Sequence, residues 1–262
     1  MSTVFITGTS RGLGRALVFE MNARGYKVIA SSRNLDDIRD MDVYKKTELD
    51  VTKDDQISKA ALLNGEVDIL INNAAYTVAG PIESIPVEEI KKEYETNVIG
   101  PLKLSRVFIP GMRKKGKGTI VNISSAADRF APPFGGSYSS AKAALAMISE
   151  AMHFELKHFG IKVILLEAGS IRTDMPLKQK HFTSPAYRKL EDQMKKRFES
   201  FFKEDSRTPP EKAAKMIADK IENPSTGFRE PVGQDAETII SMRSELNDED
   251  WEKSPMFQGL NW

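Results

Sequence analysis

Short, nearly unbroken apolar runs alternate along this chain with longer stretches whose apolar positions recur every three or four residues. Runs of the first kind suit strands buried on both faces; stretches of the second kind suit helices that bury one stripe. The pattern predicts strands at residues 4–7, 27–31, 47–51, 67–72, 119–123 and 162–167. Helices are expected at 13–24, 54–63, 87–100, 102–114 and 139–159, with Pro101 breaking or bending the chain between the third and fourth. Strand and helix in this alternation point to a doubly wound α/β fold, a parallel sheet with helices on both faces in three layers.

The alternation stops after Thr173. Residues 174–207 show no strand, and 187–202 reads as a helix rich in Lys and Arg, with Phe198, Phe201 and Phe202 near its end. Such a helix is either a solvated amphipathic surface or a lid whose aromatics help form a substrate pocket. A helix at 211–222 follows Pro209 and Pro210. Residues 227–232 read as an edge strand, because Pro231 suits an edge better than a centre. The tail after Glu245 is acidic and ends in Trp262. Neither a repeat nor a linker divides the chain, so 1–262 reads as one domain, with 174–207 as a substrate lid within it.

Composition narrows the function. Apolar residues make up 40% of the 262, enough for a sizeable core, and a net charge of +1 gives no global field toward nucleic acid or an anionic membrane. No cysteine is present, which excludes disulfides and thiolate metal sites, and the three histidines, His153, His158 and His181, form no plausible metal set. No run approaches a membrane span, and the N-terminus lacks a signal-peptide pattern, so a cytoplasmic enzyme is expected.

Gly8-Thr9-Ser10-Arg11-Gly12-Leu13-Gly14 lies between the first predicted strand and helix. Glycines there let the chain turn and bring backbone N–H groups to a pyrophosphate at a helix N-terminus, as in a Rossmann-type dinucleotide site. Ser10 and Leu13 belong to the same loop. Its G-x-x-x-G-x-G spacing departs from the common G-x-G-x-x-G. The second strand ends at Ser31-Ser32-Arg33, with no carboxylate for an adenosine ribose. Ser32 leaves room for a phosphate, Arg33 can neutralise it and Arg11 can add a second charge, so NADP(H) is expected over NAD(H). Asp50 and Val51 follow the third strand and are placed beside adenine. Asn73, Ala74 and Ala75 follow the fourth, where small residues let the backbone pass close to the cofactor.

Tyr138 and Lys142 are four apart on one helix face. Free tyrosine, with a pKa of about 10, is a poor base, and an adjacent ammonium stabilises its phenolate. Ser125 or Ser124, at the end of a strand where ligands approach an open sheet, can polarise a substrate carbonyl.

Together, Thr7 to Gly14 (T-G-x-x-x-G-x-G), Asn72 to Ala75 (N-N-A-A), Asn97, Ser125 and Tyr138 to Lys142 (Y-S-S-A-K) resemble the short-chain dehydrogenase/reductase family, from about Val4 to Ala236. Residues 97–102, 160–163 and 231–236 look like the branch that includes 17β-hydroxysteroid dehydrogenase type 1. The resemblance implies a tetrad of Asn97, Ser125, Tyr138 and Lys142. It selects Ser125 over Ser124 by its place thirteen residues before Tyr138. Tyr138 is then the general acid in reduction and base in oxidation, Lys142 lowers its pKa and orients ribose, and Asn97 holds a water in a proton relay. Gly169, Ile171 and Thr173 fall where the family holds nicotinamide, but Ala168 stands where it commonly has proline, which predicts a less constrained loop.

The implied activity is NADP(H)-dependent interconversion of an apolar ketone or aldehyde and its alcohol. A homodimer or homotetramer is implied through 102–114 and 139–159, where Ala141, Ala143, Ala144, Ala146 and Met147 pack on a partner or on the sheet. Alternatives are a sugar-nucleotide epimerase or dehydratase, which shares Y-x-x-x-K but usually needs a larger C-terminal domain, and a non-catalytic dinucleotide-binding regulator, which an intact tetrad argues against.

Overall fold

The computed structural model describes all residues except 175–178, 202–206, 224–226, 259 and 261–262. Phe202 and Trp262 therefore lie outside the described residues, as does the side chain of Phe201.

Seven parallel strands form the central sheet: β1 (Thr3–Ile6), β2 (Lys27–Ser32), β3 (Lys45–Glu48), β4 (Ile69–Asn72), β6 (Gly118–Ser125), β7 (Ile161–Ala168) and β9 (Arg229–Val232), in the order β3-β2-β1-β4-β6-β7-β9. The direction of winding reverses between β1 and β4, and ligands of open α/β sheets bind beyond the strand ends at such a switch point. Successive residues of β1 serve opposite faces. Val4 and Ile6 pack in a cluster with Leu17 and Met21 of α1 (Gly12–Ala23) and Ile217 and Ile221 of α7 (Pro210–Glu222). Phe5 packs on the other face with Ile57 of α2 (Asp54–Asn64), Phe108 and Met112 of α4 (Gly100–Lys115) and Met152 and Leu156 of α5 (Gly136–Lys157). Each such fully buried large side chain contributes about 1.5–3 kcal/mol, which is why strands with no polar face are stable only between two helix layers.

Several boundaries differ from the sequence reading, each for a physical reason. No break falls at Pro101. α3 (Val87–Tyr94) runs into a π turn, Glu95–Ile99, and then into α4, with Pro101 in the first turn of α4, where a missing N–H is tolerated. The irregularity thus falls on Asn97. β3 starts two residues early, and α5 starts at Gly136, which puts Tyr138 in its first turn.

The segment 174–207 does contain a strand. β8 (Lys180–His181) pairs with β5 (Val78–Ala79) as a separate two-stranded sheet, too short and polar to show a period. Beyond it lies α6 (Arg188–Phe201). After α8 (Gln234–Glu245), the acidic tail is packed: α9 (Asp248–Glu252) and the turn beyond it bring Trp251, Met256 and Phe257 into a third cluster with Ala126 and Ile239. β9 does lie at the sheet edge. Among the described residues no helix is long and apolar enough to cross a membrane.

Candidate active site

The loop from β1 to α1 is shaped by its glycines. Gly8 and Gly12 have φ of 68° and 54°, which disfavours side chains. A Cβ on Gly14 would lie 2.2 Å from the Gly8 carbonyl oxygen and 2.4 Å from Asn73 Nδ2. At the start of α1 the N-cap Arg11 makes no side-chain cap, and no acidic residue occupies the first turn. The first-turn N–H groups and the positive end of the helix dipole are thereby presented to an anion, and the loop fits a dinucleotide pyrophosphate.

Asn73 holds this loop: its Nδ2 donates to the carbonyls of Thr7 (2.8 Å) and Gly8 (3.1 Å). The N–H groups of Asn73 and Ala74 both donate to Thr7 Oγ1 at 2.9 Å. Its amide is therefore engaged with the turn, while Ala75 beside it is exposed. Asp50 Oδ1 accepts from the Thr52 N–H (2.9 Å) and hydroxyl (2.8 Å), and the buried Val51 packs on Gly100.

At the end of β2, Ser32 is buried and Arg33 exposed, and among the described residues Arg33 makes no ion pair. Arg11 differs from expectation. Its guanidinium pairs with Asp174 at 3.1 Å, so its charge is partly matched from within the chain. The pair is exposed and is worth no more than about 1 kcal/mol, so a phosphate can displace it.

The loop after β7 is also firmer than the absence of proline at 168 predicts. The Gly169 N–H donates to the Val232 carbonyl (3.0 Å) and the Ser170 N–H to the Asp235 carboxylate. Ile171 bridges Thr208, and Arg207 Nε donates to Ser170 Oγ at 2.9 Å. Asp235, at the start of α8, also occupies the space a Cβ on Gly169 would need. The loop then brings Thr173 against Gly12, closing over the glycine turn.

The tetrad positions converge at the ends of β4 and β6. The two serines at the end of β6 point to opposite faces. Ser124 is buried and donates to Asp128 Oδ2 at 2.6 Å, whereas Ser125 Oγ accepts from the Ala127 N–H at 3.2 Å and lies close enough to Tyr138 to lower its pKa. This is why Ser125, not Ser124, belongs with the tyrosine. Lys142 is buried, its ammonium donating to the Ile123 carbonyl at 2.8 Å and standing 5.6 Å from the centre of the Tyr138 ring. Burial pushes Tyr138 up to about 12, with Ser125 lowering it and Glu93 and Asp128 raising it. Burial pushes Lys142 down to about 8, opposed by Asp128 and Glu93. The Tyr138 hydroxyl rests in its neutral form in the cofactor-free site. The Asn97 amide is engaged too: Oδ1 accepts from the Tyr76 N–H (2.9 Å) and Nδ2 donates to the Tyr76 carbonyl (2.7 Å).

A family model described as short chain dehydrogenase matches residues 2–183. This chain belongs to the short-chain dehydrogenase family. It is 38% identical over 180 residues to the short-chain dehydrogenase ptmH of Penicillium ochrochloron, 65% of this chain and 66% of that one. The match therefore spans just under two thirds of that relative's length. A crystal structure of a short-chain dehydrogenase from Streptomyces avermitilis superimposes with a TM-score of 0.81 at 32% identity, covering 96% of this chain and 97% of the other. A short-chain dehydrogenase from Burkholderia cenocepacia in complex with NADP gives 0.80 at 25% identity, covering 98% of both chains. The relatives it matches are named dehydrogenases or oxidoreductases.

Sequence reasoning missed two acidic residues that this dehydrogenase buries beside the tetrad. Glu93 is fully buried on α3. It accepts from the Val78 N–H at 3.0 Å and from the hydroxyl of Ser137, the neighbour of Tyr138, and burial raises its pKa. The signal was faint: Glu89 and Glu93, four apart, are the residues of a polar helix that turn inward. The pKa of Asp128 is raised by burial and by Glu167, which in turn meets Arg129 and Arg229. Nothing in the local sequence marks it, since Glu167, Arg129 and Arg229 come from different elements.

Proposed function

We propose that this dehydrogenase reduces a ketone or aldehyde to an alcohol with NADPH, Tyr138 acting as the general acid. The observation that carries this reading is the shared corner of Ser125, Tyr138 and Lys142 at the ends of parallel strands. Ser125 bonds to the substrate oxygen and polarises it. Tyr138 gives that oxygen its proton and regains one from solvent. The reduced dinucleotide supplies the hydride that reaches the carbonyl carbon. Lys142, one turn along, holds a ribose hydroxyl and adds positive charge near the developing phenolate. The Asn97 side chain fixes the Tyr76 backbone, so any water it holds falls to its main-chain carbonyl, to which Pro101 has no N–H to offer.

Neither alternative reading gains a specific observation: the relative is named a dehydrogenase and every tetrad position is filled.

Arg33 supports NADP(H), as an exposed cation at the end of β2 where no carboxylate competes. A charge-assisted contact to phosphate is worth about 1.5–3 kcal/mol. Arg33→Ala is expected to weaken NADPH binding by about 10- to 100-fold and leave NADH binding unchanged, as read by titrating reduced-cofactor fluorescence. Equal NADPH affinity in both proteins would remove Arg33 from the site.

The outward face of α5 supports association. Ala141 and Ala146 are buried inward, whereas Met147 and Phe154 are 57% and 67% exposed. Light scattering at micromolar concentration is expected to show a dimer or tetramer; monomer alone would reject the association.

A further inference from the structure

A cavity of about 630 Å³ opens beside the first turn of α5, with Gly136 in its wall two residues before Tyr138. Its walls come from four separate stretches of chain: 80–82, 131–136, 187–190 and 251–257.

Gly80 is where three segments meet. Its φ is 145°, and a Cβ there would lie 2.4 Å from the Phe182 carbonyl oxygen. Its N–H donates to the Phe134 carbonyl at 3.0 Å, and the Phe182 N–H donates to Ala79 at 2.8 Å. Phe134 has φ of 68°, the one non-glycine positive φ among the described residues. Such a conformation costs a bulky residue of order 1–3 kcal/mol, and strain of this kind clusters at ligand sites. Here it turns the Phe134 ring edge-on to Tyr187, centroids 6.2 Å apart at 87°. On the far wall Trp251 stacks edge-on with Phe257 and Phe130, at 5.6 and 5.4 Å.

Charge is nearly absent. Among the described residues that line the cavity, Glu252 carries the one formal charge, and neither Lys nor Arg occurs. Glu83 sits against the Tyr187 hydroxyl, so that polar end has a partner outside the wall. An anion entering this space loses water, finds no cation and meets a carboxylate. A neutral aromatic or polycyclic body loses little and gains ring contacts worth about 0.5–1.5 kcal/mol each beyond the buried area.

We infer that this cavity takes the body of the substrate, and that the substrate is a neutral carbonyl compound bearing one or more aromatic or fused rings rather than a short aliphatic or anionic one. The inference rests on the proposed reduction chemistry at Tyr138. It narrows the substrate class and places Phe134, Tyr187 and Trp251 as residues that select it.

The test follows oxidation of NADPH by the full chain with four methyl ketones: butanone, acetophenone, 2-acetylnaphthalene and 4-acetylbenzoate. Specificity, kcat/KM, is expected to rise by about 10- to 100-fold from butanone to 2-acetylnaphthalene, chiefly through KM, and to fall about 10-fold or more from acetophenone to its carboxylate analogue. Tyr187→Ala and Phe134→Ala are expected to compress the naphthyl-over-butanone ratio. A flat or inverted ratio, or a preference for the carboxylate, overturns the substrate class while leaving reduction by Tyr138 intact. If none of the ketones is turned over with NADPH or NADH, the reduction reading fails instead, and a direct measurement then decides the cavity. In a Trp262→Phe background, 2-acetylnaphthalene is expected to quench Trp251 fluorescence saturably, and 4-acetylbenzoate is not. Equal quenching by both, or by neither, overturns the inference.

Discussion

With phenylalanine at position 138, the protein is expected to bind the dinucleotide as before and to reduce its substrate about 10²–10⁴-fold more slowly. The substitution removes one oxygen and keeps the ring, so the first turn of α5 and the packing around Gly136 and Ser137 stay in place. What is lost is the proton on the hydroxyl beside Ser125. Cofactor fluorescence measures the binding and single-turnover absorbance measures the chemistry. Undiminished turnover would end the assignment of Tyr138 as acid. A fall in binding that matched the fall in rate would make the tyrosine a cofactor ligand first.

Lys142→Met is expected to be inactive and yet more stable than wild type in the cofactor-free state. Lys142 is buried with its ammonium on a single main-chain carbonyl, and burial brings its pKa from 10.5 to about 8. Below pH 8 both folded and unfolded chains carry this charge, and the folded one bears the full cost of burying it, about 3 kcal/mol. Between 8 and 10.5 the folded state has shed the proton while the unfolded state still binds it, so wild-type stability rises with pH across that window. Methionine, similar in volume and uncharged, avoids the cost. Urea melts at pH 7.5 and 10.5 check both parts: a stabilisation of about 3 kcal/mol at the lower pH, shrinking toward zero at the higher. A destabilised variant at pH 7.5 would show that the ammonium is held by more than Ile123. A stabilised and inactive variant would make Lys142 a residue retained for function at the expense of the fold.

Much of this site was legible in the chain because its determinants are local. The glycine turn needs positive φ at Gly8 and Gly12 and no side chain at Gly14, and those constraints lie within seven residues. Tyr138 and Lys142 share a helix face by spacing alone, and β1 and β4 announce themselves by unbroken apolar runs. What stayed hidden is made by meetings across the chain. Asp235 restrains the 168–170 loop from 65 residues away, which the local residues around Ala168 do not reveal. Arg11 finds Asp174 at a separation of 163 residues. The two-residue strands β5 and β8 are too short to carry a period, and α8 and α9 carry too few apolar positions to stand out from an acidic tail. The π turn at Asn97 was displaced onto Pro101 in the sequence reading because proline is the visible irregularity, whereas proline in the first turn of a helix is at ease.

The cavity is assembled from stretches that all lie outside the glycine turn, and a large part of it, including Trp251 and Phe257, arrives after the last interior strand of the sheet. The walls at 187–190 and 251–257 are thus written apart from the glycine turn, whereas those at 80–82 and 131–136 are interleaved with the dinucleotide half of the chain. Exchange of residues 187–190 and 251–257 between relatives therefore alters the cavity without disturbing the turn at Gly8–Gly14.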